Sequence, residues 1–335
     1  MFNIKTTAML HQLVSEKVVP GVSYAMLHDG QLQAEIFGNK EVEPEVKKLS
    51  AGLKYDVASL TKVVGTTNVI LQLVAKGQLA FDDPIKKYLP RFFDQRVTVR
   101  HLLTHTSAIT GYIKNRNELS AHELLEALYQ LHVGDWFEKK VVYTDIGLIF
   151  LGLIIEKIYN QPVQQVIAEK VLRPLDLTES TFCPQAAECV PTEIVPTRGL
   201  ICGKVHDPKA YILGRHCASA GLFTTLHDLI KFSQWMLDDS SSHKLIPASL
   251  INQLFFDQTP DHKLGRSYGW DLRYDSQNKA CLYHTGYTGT FILIDKANQN
   301  ALIVLTNRVH PHTPNDKFLK RRDAIISAYL TEKGL

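Results

Sequence analysis

Residues 59–76 read SLTKVVGTTNVILQLVAK, and the reading of this stretch decides the fold. Val63, Val69, Ile70, Leu73 and Val74 recur on one side at helical spacing, which predicts an amphipathic helix from Ser59 to about Lys76. Gly77 follows and can stop it, because glycine enters the left-handed cap conformation without steric cost. Ser59 opens the helix, and the spacing to Lys62 puts amine and hydroxyl on the same face. A helix N-terminus also favours negative charge developing beside it. A serine hydroxyl is a poor nucleophile until a base takes its proton, and a lysine serves if burial and nearby cations lower its pKa. Ser-x-x-Lys recurs at Ser241 with Lys244 and at Ser276 with Lys279. The first lies in a run of three serines and the second in the polar turn DSQNK, so context singles out Ser59 as the candidate nucleophile.

Outward from this helix, the chain divides into strand-rich ends and a helical middle. Gly21 to Gly38 reads as a hairpin, with two apolar runs flanking the turn signal His28-Asp29-Gly30. Phe291 to Ile294 and Ala301 to Leu305 are late strands separated by the turn-like Lys296 to Asn300. Helical patterns cover Ala121 to Leu131, Ile146 to Tyr159, Leu226 to Leu237 and Asp316 to Leu330. Cys183 to Gly214 lacks periodicity and reads as long loop. The expected fold class is therefore mixed α/β of the α+β kind. The two chain ends share one antiparallel sheet, and a mostly helical region, roughly residues 82–200, is inserted between them in a single domain of residues 1–335.

Two further clusters carry chemistry. Tyr143-Thr144-Asp145 sits just before the apolar run IGLIFLG, and a cation beside a tyrosine favours the ionised phenol. His284-Thr285-Gly286 reads as the start of a late strand, followed by Tyr287-Thr288-Gly289-Thr290. Glycines there let a strand edge approach a substrate closely, and a backbone N–H on that edge can join the N–H of Ser59 in binding an oxyanion. Other groupings are weaker. Ser219 in Cys217-Ala218-Ser219-Ala220-Gly221 lacks the first glycine of a nucleophile elbow. His101 and His105 have i,i+4 spacing but no accompanying Glu, so they read as structural and not as metal ligands. His206-Asp207 lines the active-site rim or forms a turn before Pro208.

The order Ser-x-x-Lys, Tyr-x-Asp, His-Thr-Gly resembles the serine β-lactamase and penicillin-binding-protein superfamily, in its class C β-lactamase-related, DD-peptidase- and esterase-like branch. Similar family segments are Asp82-Asp83-Pro84-Ile85 with Tyr88-Leu89-Pro90, His101 to Ser107, Ala220 to Thr225, and Leu305 to Pro311, so the resemblance covers most of the chain. It implies the β-lactamase/DD-peptidase-like fold and a Ser59 acyl-enzyme, with Lys62 and Tyr143 passing protons. It also implies an oxyanion hole from the N–H groups of Ser59 and Tyr287, and substrate contacts from Asp145, Thr285 and Gly286, with His284 where β-lactamases have lysine. Two departures matter. Asp145 stands where the family usually has Asn; an ionised carboxylate donates no hydrogen bond, and its charge would tend to raise the pKa of Lys62. His284 replaces a fixed cation with a group only partly charged near neutral pH. Both point away from β-lactams and toward small uncharged esters or amides. A DD-peptidase, a weak β-lactamase and a non-catalytic binding protein on the same fold are the alternatives.

Composition agrees with a globular enzyme. The chain has 335 residues, 45% hydrophobic and 21% charged, enough to bury a large core without disulfides. A net charge of +3 falls short of a nucleic-acid binder, and the basic run Lys317, Lys320, Arg321, Arg322 reads as a solvated helix face. The five cysteines, Cys183, Cys189, Cys202, Cys217 and Cys281, form no C-x-x-C and predict reduced thiols with no metal and no cofactor. The start MFNIKTTAMLHQLVSEK has no signal-peptide core, and no apolar run spans a bilayer, so the expectation is a cytoplasmic protein without a membrane span. The expected partner is a small ester, amide or peptide substrate, and the oligomeric state is left open.

Overall fold

The run Gly21–His28 is apolar without alternation, the pattern of a strand covered on both faces. In the computed structural model, which describes residues 3–238 and 245–332, this strand (β1) is central in a seven-stranded sheet. The others are β2 (Gln31–Glu41), β3 (Lys47–Lys48), β4 (Asp271–Tyr274), β5 (Ala280–Thr285), β6 (Phe291–Asp295) and β7 (Asn300–Thr306). Their order is β4-β5-β6-β7-β1-β2-β3, every pairing antiparallel. The first and last thirds of the chain thus meet at β1 and β7, with Ala25 opposite Ile303. The β1–β2 hairpin turns at Asp29 and Gly30, both with positive φ, as a two-residue Asp-Gly turn requires.

Each face of β1 has its own helical cover. Tyr24 and Met26 pack with Leu10 and Leu13 of α1 (Ile4–Ser15) and with Phe318 and Ile325 of the terminal helix α5 (Asp316–Thr331). Lys317 and Arg321, from the basic run, pair with Glu16 at the end of α1 and so join the two outer helices. Ala25 and Leu27 face the larger core, built from α2 (Thr67–Ala75), α3 (Ile146–Tyr159) and α4 (Leu226–Leu237). Helix α3 is apolar on nearly all sides because it runs through this core, and small residues allow it close neighbours: a Cβ on Gly152 would lie 2.6 Å from that of Ala218. Phe150 is fully buried there, and truncating such a ring to alanine typically costs about 3–5 kcal/mol. No single helix among the described residues is long and apolar enough to cross a membrane.

The predicted helix at Ser59 begins one residue later and includes a wider turn. Lys62–Thr66 is π-helical before α2 continues to Ala75, and Gly77 follows with φ 66°. The Asn68 side chain donates to the carbonyls of Val63 and Val64, which the wide turn leaves short of helical partners. The segment read as loop, Cys183 to Gly214, holds a small hairpin (Ile194–Val195 with Gly199–Leu200) and the short helix Pro208–Leu213. That helix starts at an Asp N-cap followed by proline, with Asp207 Oδ1 accepting from the Ala210 N–H at 2.8 Å. His284 lies near the end of β5, not at the start of a strand, and the turn of residues 286–290 leads on to β6.

Candidate active site

Ser59 lies in a turn between the short strand Tyr55–Asp56 and the π-helical segment. Ala58 before it has φ 46°, a left-handed conformation that costs an alanine about 1–2 kcal/mol. Neighbours fix it there. The buried carboxylate of Asp56 accepts the Ala58 N–H at 2.9 Å and the His206 N–H at 2.7 Å. Thr61 Oγ1 donates to the Ala58 carbonyl at 2.7 Å, and the Val57 N–H to the Leu222 carbonyl at 3.1 Å. From the sheet, Thr288 and Thr290 donate to the carbonyls of Asp56 and Val57. A Cβ on Gly286 would lie 2.4 Å from the Val57 oxygen, so only glycine lets the β5–β6 turn close onto the serine turn. Tyr287 in that turn is held by its carbonyl, which accepts from Arg308 Nε at 2.7 Å, and by stacking of its ring on His206. Among the described residues, neither the Ser59 nor the Tyr287 backbone N–H donates to a protein group.

Lys62 is fully buried, and its ammonium group makes three contacts. It lies 2.7 Å from Ser59 Oγ, 2.6 Å from Asp145 Oδ1 and 2.8 Å from the Ser219 carbonyl oxygen. Burial alone would lower its pKa, but the Asp145 carboxylate and the Tyr143 oxygen outweigh burial and hold it above the ordinary lysine value. An ammonium donating all three protons has no lone pair for the serine proton. The condition under which a lysine serves as base, a lowered pKa, is thus not met, and the direction is the one expected from the charge of Asp145. Ser219 takes part through its carbonyl alone, its buried hydroxyl meeting Cys217 Sγ at 3.3 Å. Ser276 is exposed in the β4–β5 turn, and the Ser241–Lys244 pair falls outside the described residues.

Asp145 stands at the N-terminus of α3 and bridges two lysines, since Oδ2 lies 3.0 Å from Lys209 Nζ. Burial would raise its pKa, but Lys62 and Lys209 hold it well below the usual carboxylate range. Tyr143 is 47% exposed. Lys62 Nζ and the Arg266 guanidinium each lie 5.4 Å from its ring centre, and the ring of buried His105 lies 4.6 Å away. Lys209, Arg266 and His105 are the members sequence reasoning missed or read as merely structural. A signal existed only for Lys209, which follows an Asp-Pro helix start in the stretch GKVHDPKA. His101, by contrast, points away: it closes the cap of Val99–Leu103 and pairs with Glu138, sharing no ligand position with His105.

His284 corrects an expectation. It is buried, its Nδ1 lies 3.0 Å from the Thr285 carbonyl oxygen, and its Nε2 has no partner among the described residues. A donating Nδ1–H leaves Nε2 as a bare acceptor. Burial, then the charges of Arg266 and Lys62, push its pKa well below the ordinary value, so it is neutral at neutral pH and not partly charged. The site nonetheless has a permanent cation in Arg266, 7% exposed beside Tyr143. His105 is shifted the same way by burial and the same two charges.

These two rings predict how stability depends on pH. Unfolded, they take up protons near pH 6.5, while folded they stay neutral to well below that value. In between, the unfolded chain binds more protons, so stability is lost as pH falls below about 6.5, by up to about 1.4 kcal/mol per pH unit for each ring. Thermal unfolding should show a lower Tm at about pH 5.5 than at about pH 7.5. An unchanged Tm would mean that the rings charge within the fold.

Outside this site, Glu179, His227 and Asp228 bring possible metal-ligand atoms within 4.8 Å of one another. They sit at the N-terminus of α4, where the helix dipole disfavours a cation, and Asp228 Oδ2 already accepts from the Glu179 N–H and the Ser180 hydroxyl.

An antiparallel sheet from both chain ends, helices on each face, and a serine–lysine pair facing the β5–β6 turn define a β-lactamase/DD-peptidase-type fold. Solved structures share it. The chain superposes on EstCE1, described as a hydrolase with promiscuous acyltransferase activity, with a TM-score of 0.76, 17% identity, and coverage of 96% of this chain and 97% of that one. A β-lactamase/D-alanine carboxypeptidase from Pseudomonas syringae gives a TM-score of 0.76 at 16% identity, covering 96% and 97%. A relative in Escherichia coli (strain K12), provisionally named a D-alanyl-D-alanine carboxypeptidase, is 26% identical over an alignment 373 positions long, which covers 93% of this chain and 84% of that one. The chain belongs to the Beta-lactamase family, whose model matches residues 6–325. It is thus a hydrolase of the serine β-lactamase/DD-peptidase family.

Proposed function

We propose that the protein hydrolyses small uncharged esters or amides through an acyl group on Ser59, with esters preferred. The observation that carries this reading is the 2.7 Å contact between Ser59 Oγ and a Lys62 ammonium already committed to three acceptors, with Tyr143 alongside. Lys62 and Tyr143 form one proton-transfer unit. Because Lys62 is a full donor, the serine proton goes to the Tyr143 oxygen. Ser59 Oγ attacks the carbonyl carbon as its proton passes to that oxygen. The negative charge developing on the carbonyl oxygen is met by the N–H groups of Ser59 and Tyr287. Collapse breaks the bond to the leaving group, which takes the proton from Tyr143. A water then repeats the sequence on the acyl group and frees Ser59.

The preference for uncharged substrates rests on what surrounds this centre. His284 is neutral, Lys209 is neutralised between Asp145 and Asp207, and Arg266 is almost wholly buried. A substrate carboxylate meets no exposed, unpaired cation among these groups. The competing D-peptidase reading rests on the name of the Escherichia coli relative. The test is kcat/KM for a neutral short-chain ester, a D-alanyl-D-alanine peptide and a cephalosporin on one preparation. The ester is expected to lead by roughly tenfold or more, the scale of one charged contact. A faster peptide or cephalosporin overturns the preference, and no turnover of any substrate favours the binding-protein reading.

A further inference from the structure

The segment His206 to Lys209 is bonded to Asp56 beside the serine turn and to Asp145, the partner of Lys62. The His206 N–H holds Asp56, which holds the Ala58 N–H, while Lys209 Nζ lies 3.0 Å from the free oxygen of the carboxylate that grips Lys62. Lys209 is itself placed by Asp207, whose Oδ2 lies 3.2 Å from Nζ while Oδ1 caps the Pro208–Leu213 helix. Asp145 is therefore shared between two cations, one on each oxygen.

We propose that Lys209 is a positioning residue of the acyl-transfer site, dividing the charge of Asp145 and so leaving more of the Lys62 charge to act on Ser59 and Tyr143. The inference rests on the reading of Ser59 and Lys62 given above. A carboxylate bound to one buried cation spends its whole field there, whereas a second cation on its other oxygen takes part of the field and repels the first. This makes an aspartate workable where the family usually has a neutral Asn. The groups facing Lys62 come from several elements. Tyr143 and Asp145 precede α3, Lys209 and Asp207 start the Pro208–Leu213 helix, His105 follows Val99–Leu103, His284 ends β5 and Arg266 precedes β4. Both histidines are neutral near pH 7 and Arg266 stays charged, so the Asp145–Lys209 pair is the adjustable part of the field.

The test follows Ser59 acylation by a neutral phosphonate ester across pH, with peptide mapping of the labelled serine. In Lys209→Met, Asp145 grips Lys62 alone, the proton-transfer unit is harder to deprotonate, and the acid limb of the rate profile should rise by about one pH unit, a roughly tenfold loss at pH 7. Lys209→Arg should keep the wild-type limb. Asp145→Asn with Lys209→Met removes both charges and should return the limb to the wild-type position or below. An unmoved limb in Lys209→Met, a Lys209→Arg profile that shifts as far, or a double variant slower than Lys209→Met overturns the inference. If Lys209→Met does not fold, the arginine and double variants decide it by the same criteria. Wild type unlabelled at Ser59 would instead overturn the nucleophile assignment beneath it.

Discussion

Replacing Ser59 with alanine is expected to lower kcat by about 10³-fold or more while leaving the fold intact. The two halves of this expectation have separate causes. The chemical loss follows because the remaining groups, Lys62, Tyr143 and the two backbone N–H donors, can orient a carbonyl but cannot carry an acyl group. The structural tolerance follows because the turn does not depend on the serine side chain. Asp56, Thr61 and Leu222 hold Ala58 and Val57, and among the described residues the Ser59 hydroxyl accepts only from Lys62. Lys62 keeps Asp145 and the Ser219 carbonyl when the hydroxyl is gone. Steady-state kinetics with a neutral ester and a thermal melt of the same sample separate the effects. Residual activity within about tenfold of wild type would place the nucleophile elsewhere.

The second large effect concerns Lys62 and Tyr143 as a pair. Lys62→Ala removes the ammonium beside Ser59, and Tyr143→Phe removes the oxygen that receives the proton, so each should cost kcat about 10²-fold or more. If both serve one transfer, the double variant should be little slower than the slower single variant. Fully multiplicative losses would show two independent contributions. Lys62→Ala also leaves Asp145 with Lys209 as its remaining cation, and breaking a buried ion pair costs up to about 3–5 kcal/mol. The melting temperature therefore has to accompany the rates, and Tyr143→Phe, at a half-exposed position, serves as the variant with little structural cost.

The parts of the molecule legible in the sequence are those set by local rules. The Asp29-Gly30 turn needs two positive φ values, and the sequence has a residue pair that accepts them. The helix over Ile146–Tyr159 has an apolar run too long for a strand, and Leu226–Leu237 follows a threonine whose side chain caps it. Ser59 stood apart from Ser276 because only its neighbours repeat at helical spacing. Strand β5 was harder: ACLYHT is a short run buried almost throughout, with no alternation to mark where it starts. The charges of the site were legible only in part. The pull of Asp145 on Lys62 follows from its charge, but that Lys209, 64 positions later in the chain, reaches its second oxygen does not. Whether His284 is charged depends on Arg266 and on the covering that buries the ring. Neither periodicity nor spacing reports a tertiary ion pair, so the departures from the family pattern were visible while the groups paired with them were not.

The central claim is that Ser59 carries the acyl group, and the most direct measurement is the mass of the peptide containing it after reaction with a covalent phosphonate or penicillin probe. The account predicts a single modified serine, Ser59, with labelling lost in Ser59→Ala. Modification of Ser219, Ser241 or Ser276 in place of Ser59 would contradict it.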